Sequence, residues 1–530
     1  MMLRTRATAL LAGLLALAVL WAGIRWGALV AGGADSYGYV SQAGLWQQGL
    51  PIVQQDLVRS SPWPGAAHTW SPLGYRPSPH QLDAIVPLYS PGLPLLMGLF
   101  QIVAGYCGAF LVVPLCGALT IAATYALGRR LFDAPGIALW GAALVATSPV
   151  FLYQLMNAMS DVPVTAAWAL ALALAVRNQP LASGLSMGAA IAIRPNLVPL
   201  AALLAVWLWL RDRRAAASSV LRFAVGTAPA IAGIAWFNAR LYESPLVSGY
   251  GTASDLYSLQ FFATNARQFA GWMNDVQTPV VLLAGLFFVA PRLFPPARIP
   301  FPRLLLGGSL GAVVLSYMFY RPFDAWWYLR FLLPMWPVMM LLTAAGINVV
   351  ARRWLTHIYA IAIATAAALL AWHGVHVAIA RSAFELGRGE RRYIDVGRFI
   401  STHTDPDAVI LSVQHSGSLR LYAGRLTLRY DALDPEWLDR TVEHLRSIGR
   451  HPYFVLDGEE VELFRQRFGA MNRTGAVDWT PFGTLGSINV YDAADRTSAA
   501  SPLAIASTRG RRGGWSCDPP QVWPPPLRMR

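Results

Sequence analysis

Lysine is absent from this chain: all 42 Lys+Arg positions are arginine. Charge of either sign is scarce, at 13% of 530 residues, where a soluble globular chain carries roughly 25%. Cysteine is scarcer still, with three residues at positions 107, 116 and 517. No CxxC or Cys/His spacing among them points to zinc, so they read as small packing residues. The missing lysine reads as a compositional bias without mechanistic meaning. What the chain has in quantity is apolar sequence: it is 55% hydrophobic, its mean hydropathy is +0.42, and runs such as LLAGLLALAVLWAGI (10–24) and VVLLAGLFFVAP (280–291) recur. About twenty apolar residues cross a bilayer core. The composition therefore excludes a soluble enzyme and predicts a polytopic α-helical membrane protein.

Spans are expected at 8–31, 107–127, 134–153, 162–177, 181–194, 196–210, 219–240, 280–295, 304–320, 331–350 and 355–380, about eleven in all. The first has Arg4 and Arg6 before it and continues beyond a signal-peptide length with no small-residue cleavage site, so it reads as an uncleaved anchor. The net charge of +14 does not indicate nucleic acid, because the arginines cluster between apolar runs: Arg129/Arg130, Arg177, the RDRR at 211–214, Arg292/Arg298/Arg303 and Arg352/Arg353. The positive-inside rule makes that side cytoplasmic. The N-terminus is then cytoplasmic, and an odd span count puts the C-terminal region outside. Residues 88–105 are apolar but short and proline-led, and are expected as an interfacial helix.

The chain divides into a membrane part, 1–380, with outer loops 32–106 and 241–279, a small C-terminal α/β domain, 381–493, and a disordered tail, 494–530. Within the second part, AVILSV (408–413), RLTLRY (425–430), YFVLDG (453–458) and SINVYD (487–492) read as strands, with amphipathic helices at 434–449 and 458–469. The tail is rich in Pro, Gly and Arg and has no periodicity.

The candidate chemistry collects on the outer side. Asp35 follows the first span, with Tyr37 and Tyr39; alone, it would pass for a solvated loop residue. Asp161, in NAMSDVPV (157–164), opens a span and could be an ordinary helix start. Arg194, in IAIRPN (191–196), interrupts some thirty apolar residues. Arginine in hydrocarbon needs a partner or a polar cavity, and it binds phosphate by charge-assisted hydrogen bonds. The segment YRPFDAWWYLRF (320–331) adds Arg321, Asp324, Trp326 and Arg330; its aromatics suit an interfacial belt, but its charges exceed what a belt needs. The loop 248–279 adds Tyr250, Asn265 and Trp272. No cofactor motif is present and no metal site is expected; two carboxylates without histidine partners would at most hold a divalent cation.

ADSYGYVSQA (34–43), YSPGLPLL (89–96), MSDVPVTAAWALALA (159–173) and GLSMGAAIAIRPN (184–196), in this order and spacing, resemble the GT-C glycosyltransferases. The branch of bacterial protein O-mannosyltransferases and the lipid A aminoarabinose transferase is the most similar. The resemblance covers roughly 10–335. It implies a bacterial inner-membrane enzyme that moves a sugar from a polyprenyl-phosphate-linked donor to a glycan, lipid or protein acceptor on the outer face. It also implies Asp35 as catalytic base and Asp161 as its support; Arg194, Arg321 or Arg330 is left to supply positive charge at the leaving phosphate, with Arg194 and Arg330 the expected pair. Tyr89 stands where many relatives have Lys or His before two prolines, a departure at the donor-phosphate contact. Two other classes compete. A transporter would place its ionisable groups at mid-membrane in repeated halves, which this chain lacks. A non-catalytic envelope-assembly protein would bind a partner through 381–493 and need neither aspartate.

Overall fold

The computed structural model describes residues 2–49, 51–294, 296–355, 357–496, 501–507 and 517–520. Helices dominate up to residue 403. Five are long and apolar enough to cross a membrane: Thr5–Trp26, Tyr106–Leu131, Ala216–Leu241, Trp326–Trp354 and Tyr359–Ala380. Pro135–Ala146 and Pro149–Leu155 form a pair bent by 59°, and Leu259–Gln277 and Pro279–Val289 a pair bent by 110°. Counting each bent pair as one span gives seven. The other expected spans are helices of 10–17 residues, Asp161–Val176, Pro180–Ile193, Pro195–Arg211 and Pro302–Met318. At 1.5 Å per residue, about 17 residues is the short end of what crosses a hydrocarbon core of about 30 Å. The expected span at 280–295 is not a continuous helix; it breaks into a 3-10 helix, Pro279–Gly285, a single α-turn, Leu286–Val289, and a second 3-10 turn.

The sequence explains both starts and packing. Proline opens Pro135–Ala146, Pro149–Leu155, Pro180–Ile193 and Pro302–Met318, where its missing N–H costs nothing. Helices Pro180–Ile193 and Ala216–Leu241 meet through small residues. A Cβ on Gly184 would lie 2.1 Å from the Phe223 carbonyl oxygen, and one on Gly226 would lie 2.5 Å from that of Leu181. Such contacts substitute for hydrophobic driving force inside a membrane.

The loop 32–106 is itself folded. It holds helix Asp35–Trp46, a small antiparallel sheet, and helix Gly92–Ala104. The sheet has β1 (Val53–Gln54), β2 (Tyr75–Pro77) and β3 (Ala84–Pro87) in the order β1-β3-β2. Helix Gly92–Ala104 packs on Asp35–Trp46 by one face and exposes Leu95, Leu99, Ile102 and Val103 on the other. The loop 241–279 likewise contains a helix, Phe262–Gln277.

The C-terminal region forms a six-stranded mixed sheet of β4 (Val409–Leu411), β5 (Leu426–Leu428), β6 (Pro452–Asp457), β7 (Gly483–Leu485), β8 (Ile488–Asp492) and β9 (Leu503–Ala504), ordered β5-β4-β6-β8-β7-β9. β4 pairs in parallel with β5 and β6, and β8 runs antiparallel to β6 and β7. Helices Leu438–Ser447 and Glu460–Phe468 cover it together with two that the sequence pattern did not reveal, Arg392–His403 and Ser416–Tyr422.

A boundary at residue 381 divides the chain but not the core. Val58, Trp63 and Trp70 from the first outer loop belong to the same apolar cluster as Leu428, Phe454 and Phe464. Buried Arg420 fastens this junction. Its guanidinium donates to Gln55 Oε1 at 2.8 Å, Trp70 O at 2.6 Å, Thr427 O at 2.8 Å and Thr427 Oγ1 at 2.7 Å, and burial lowers its pKa to about 10. Of the tail expected to be disordered, Leu503–Ala504 adds the edge strand beside β7. The cysteines are not merely packing residues: Cys107 and Cys517 form a disulfide, with Cα atoms 5.7 Å apart, and Cys116 is free. Asp518 extends this fastening through ion pairs with Arg391 (2.9 Å) and Arg398 (3.0 Å).

A non-reduced digest analysed by mass spectrometry should therefore contain a peptide pair joined through Cys107 and Cys517, with Cys116 as thiol. Cys107→Ser should lower stability by about 2–4 kcal/mol, the usual worth of a disulfide, read as a drop in thermal midpoint that Cys517→Ser reproduces.

Candidate active site

A cavity of about 660 Å³ lies where the loops 32–106 and 241–279 meet. Asp35, Tyr39, Tyr89, Asp161, Arg194, Tyr250 and Arg330 all line it, although the sequence scatters them over 296 positions from Asp35 to Arg330. Each charge sits at a place that local structure prepares. Asp35 opens helix Asp35–Trp46 and Asp161 opens Asp161–Val176, where the positive end of the helix dipole favours a carboxylate. Arg194 caps the C-terminus of Pro180–Ile193, where the same dipole favours a cation. Arg330 comes from the 3-10 helix Trp326–Met335.

The four charges alternate. Arg194 pairs with Asp161 Oδ1 through Nη2 and donates from Nε to Ser160 Oγ at 3.2 Å. Arg330 Nη1 donates to Asp35 Oδ2 at 3.1 Å and stands 4.0 Å from Asp161 Oδ2. The Tyr89 hydroxyl donates to Asp35 Oδ1 at 2.5 Å. Two aspartates and two arginines sum to zero, so the group is neutral as a whole. Access separates the two carboxylates: the Asp161 side chain is 1% exposed and that of Asp35 24%. Asp161 is sealed behind its arginine, while Asp35 faces the cavity. Arg194 Nη1 and Arg330 Nε are buried and have no hydrogen-bond partner among the described residues, so a shift of either guanidinium toward the cavity would give an anion a donor without breaking a hydrogen bond at that nitrogen.

Glycines make the room. Gly33, at φ +56°, turns the chain into helix Asp35–Trp46. A Cβ on Gly38 would lie 2.2 Å from the Tyr89 ring; without one, Tyr89 reaches Asp35 and packs beside Tyr39 (4.4 Å between centroids) and Tyr250 (5.9 Å). Burial, then the Asp35 charge, holds the Tyr39 and Tyr89 hydroxyls far above their ordinary pKa, so both are donors rather than bases. Tyr89 therefore makes its contact with the Asp35 carboxylate.

Three expected site residues stand apart from the cavity. Arg321 and Asp324 are exposed, and Arg321 borders a separate recess beside Asn265 and Trp272. Trp326 packs edge-on to Tyr153 at 5.0 Å and under Arg381 at 5.4 Å, while its neighbour Trp327 lines the cavity. The 3-10 period explains the exchange: positions i and i+3 share a face, which aligns Trp327, not Trp326, with Arg330. The tether Asn265 Nδ2 to Tyr320 O, at 2.6 Å, gives Asn265 a structural role. Sequence reading also missed Tyr153, Asn157, Glu390, Tyr393 and Gln414 in the lining. The last three lie more than fifty residues beyond any motif, so no local signal could have found them. Among the described residues no group of three or more His, Cys, Asp or Glu side chains could hold a metal, and Arg330 already bridges the two aspartates.

Removing one partner of the buried Arg194–Asp161 pair leaves an uncompensated charge, a loss of about 3–5 kcal/mol. Arg194→Gln and Asp161→Asn should each lower the thermal midpoint of the purified protein, and the double variant should lose less than the sum of the two. Additive losses would contradict the coupling.

A sequence search of curated proteins gave no match. Residues 90–236 match the family model described as dolichyl-phosphate-mannose-protein mannosyltransferase. ArnT from Cupriavidus metallidurans, solved bound to undecaprenyl phosphate, is 13% identical, with 91% of this chain and 97% of that chain covered at a TM-score of 0.55. The Archaeoglobus fulgidus oligosaccharyltransferase tethered with an acceptor peptide is 14% identical, with 92% and 74% covered at 0.52. AglB from the same organism, in complex with an inhibitory peptide and a dolichol-phosphate, is 13% identical, with 92% and 74% covered at 0.53. At these identities the likeness is one of fold. That fold extends over nine-tenths of the chain, and the segment matched by the family model lies within it.

Proposed function

We propose that this protein is an integral-membrane glycosyltransferase that takes a sugar from a polyprenyl-phosphate-linked donor and passes it to an acceptor hydroxyl at the outer face of a bacterial plasma membrane. The observation that carries the reading is the neutral Asp35–Arg330–Asp161–Arg194 chain, with two unpartnered guanidinium nitrogens, lining a cavity at the loop end of the apolar helices. The undecaprenyl phosphate bound by ArnT and the dolichol-phosphate bound by AglB support a lipid phosphate as the donor's leaving group.

In this reaction the acceptor oxygen attacks the anomeric carbon, a C–O bond to the acceptor forms, and the bond to phosphate breaks. The acceptor proton passes to Asp35, the accessible carboxylate. The leaving polyprenyl phosphate gains one negative charge. Protonation of Asp35 removes the partner of Arg330 at the same moment, and Arg330 then faces the phosphate. Proton uptake and leaving-group stabilisation are thus coupled through one guanidinium, a preorganised form of electrostatic catalysis. Asp161 holds Arg194, and Tyr89 orients Asp35. Arg330 supplies the positive charge that a divalent cation would bring between two carboxylates, so transfer should persist in EDTA.

Sidedness has support from one helix. Tyr106–Leu131 begins beside the disulfide-forming Cys107 and ends in Arg129 and Arg130. Disulfides belong to the oxidising side of a membrane and arginine clusters to the cytoplasmic side. Both criteria orient this helix the same way and support a cavity on the outer face.

Deletion of the gene should remove one sugar from the envelope, detected by mass spectrometry of glycans, glycolipids and glycoproteins. Wild type should restore it, and Asp35→Asn, which keeps the shape but cannot take the proton, should restore about 1% or less, in keeping with the 10²–10⁴-fold worth of a general base. Full restoration by Asp35→Asn would contradict the mechanism.

A further inference from the structure

The membrane helices and their loops do not close the cavity alone. Glu390, Tyr393 and Gln414 bring the C-terminal region into its wall, where Tyr153 and Trp327 also stand. Glu390 ends the short helix Leu386–Glu390 and is half-buried. Its carboxylate has no hydrogen bond or ion pair among the described residues. The arginine two positions on is otherwise engaged: Arg392 pairs with Asp457 at 3.3 Å and donates to the Tyr393 hydroxyl at 3.2 Å. Burial raises the Glu390 pKa, and Arg392 counters this only in part. Every carboxylate of the Asp35 group stands within 4.0 Å of an arginine nitrogen; among the described residues this one, in the same cavity, makes no such direct pair, and Arg392 acts on it only through space.

The neighbours of Glu390 give it a chemical context. Trp327 is 39% exposed, and its ring lies nearly parallel to Tyr153, with 10° between planes and 6.2 Å between centroids. Gln414 adds an amide. An aromatic face beside a free carboxylate and an amide is the lining that a pyranose ring requires: its C–H face packs on the indole, and two adjacent hydroxyls donate to the two carboxylate oxygens in charge-assisted hydrogen bonds. A phosphate-bearing acceptor group would be repelled there. Glu390 is also built in beside the catalytic loop. A Cβ on Gly32 would lie 2.7 Å from Glu390 Oε2 and 2.2 Å from the Tyr393 ring, and Asp35 follows three residues later.

We infer that Glu390, Gln414 and Trp327 form the acceptor subsite of this cavity and that the group seated there is an uncharged or amine-bearing sugar, so that the enzyme extends a carbohydrate rather than modifying a protein side chain. The inference rests on the transferase reading of the cavity and goes beyond it by naming the acceptor class. The C-terminal region then selects the acceptor, while the arginines hold the donor.

The test uses the deletion strain complemented with wild type, Glu390→Gln or Trp327→Ala, together with binding of undecaprenyl phosphate to each purified full-length protein. Linkage analysis of the sugar lost on deletion should find it joined to another sugar. Each variant should restore at least tenfold less of it than wild type while binding undecaprenyl phosphate equally well. Full restoration by both variants, loss of undecaprenyl phosphate binding in both, or attachment of the sugar to an amino-acid side chain would each overturn the assignment. If deletion removes no sugar at all, the transferase reading itself fails, an outcome distinct from a wrong acceptor.

Discussion

The alternation of Asp35, Arg330, Asp161 and Arg194 is the constraint on which the rest of the structure depends. A single arginine or aspartate at the edge of hydrocarbon is costly. Four in alternating order, three of them at helix ends of matching dipole sign, are not, because each charge is compensated by a neighbour and by the backbone. The arrangement demands close approach of segments distant in sequence. Small residues meet that demand: Gly33 and Gly38 under the Asp35 helix, and Gly92, where a Cβ would lie 2.4 Å from the Ala192 carbonyl carbon. The four-charge chain and the glycines are one device, since a side chain at Gly38 or Gly92 would push apart the groups that neutralise each other.

The same economy explains why the C-terminal region is not a separate module. Arg420 and the shared apolar cluster fix it to the loop 32–106, and the Cys107–Cys517 disulfide to the start of the helix that follows. The loop carries Asp35 and Tyr89, and the C-terminal region carries Glu390 and Gln414. A cavity with walls from both needs them held in register, and the fastenings supply that. In the proposed reaction, donor chemistry and acceptor choice reside on different parts of the chain, which meet at Gly32.

What the sequence made legible follows from locality. An arginine inside an apolar run violates local expectation, and Arg194 is visible for that reason; Arg330 stands out as charge beyond what an aromatic belt needs, while Asp35 and Asp161 would pass alone for a loop residue and a helix start and stand out only through the order and spacing of the motifs around them. The strands Val409–Leu411 and Pro452–Asp457 carry period-two or continuous apolar patterns within a few residues, and they too were legible. Features set by distant partners were not. The disulfide joins residues 410 positions apart. Glu390 has no unusual neighbours in sequence and acquires its meaning from the cavity. Arg321, Asp324 and Trp326 drew attention by composition, yet the 3-10 geometry of Trp326–Met335 presents Trp327 and Arg330 to the cavity instead. The span count is not confirmed where helices such as Asp161–Val176 are short, because apolar sequence records burial in protein as readily as burial in lipid.

The most direct test of the central claim is an experimental structure of the protein with undecaprenyl phosphate. The account places the phosphate oxygens within hydrogen-bonding distance, about 3 Å, of the Arg194 or Arg330 guanidinium, with Asp35 on the side from which an acceptor would approach. A phosphate bound elsewhere, with both guanidinium groups still committed to their aspartates, would contradict it.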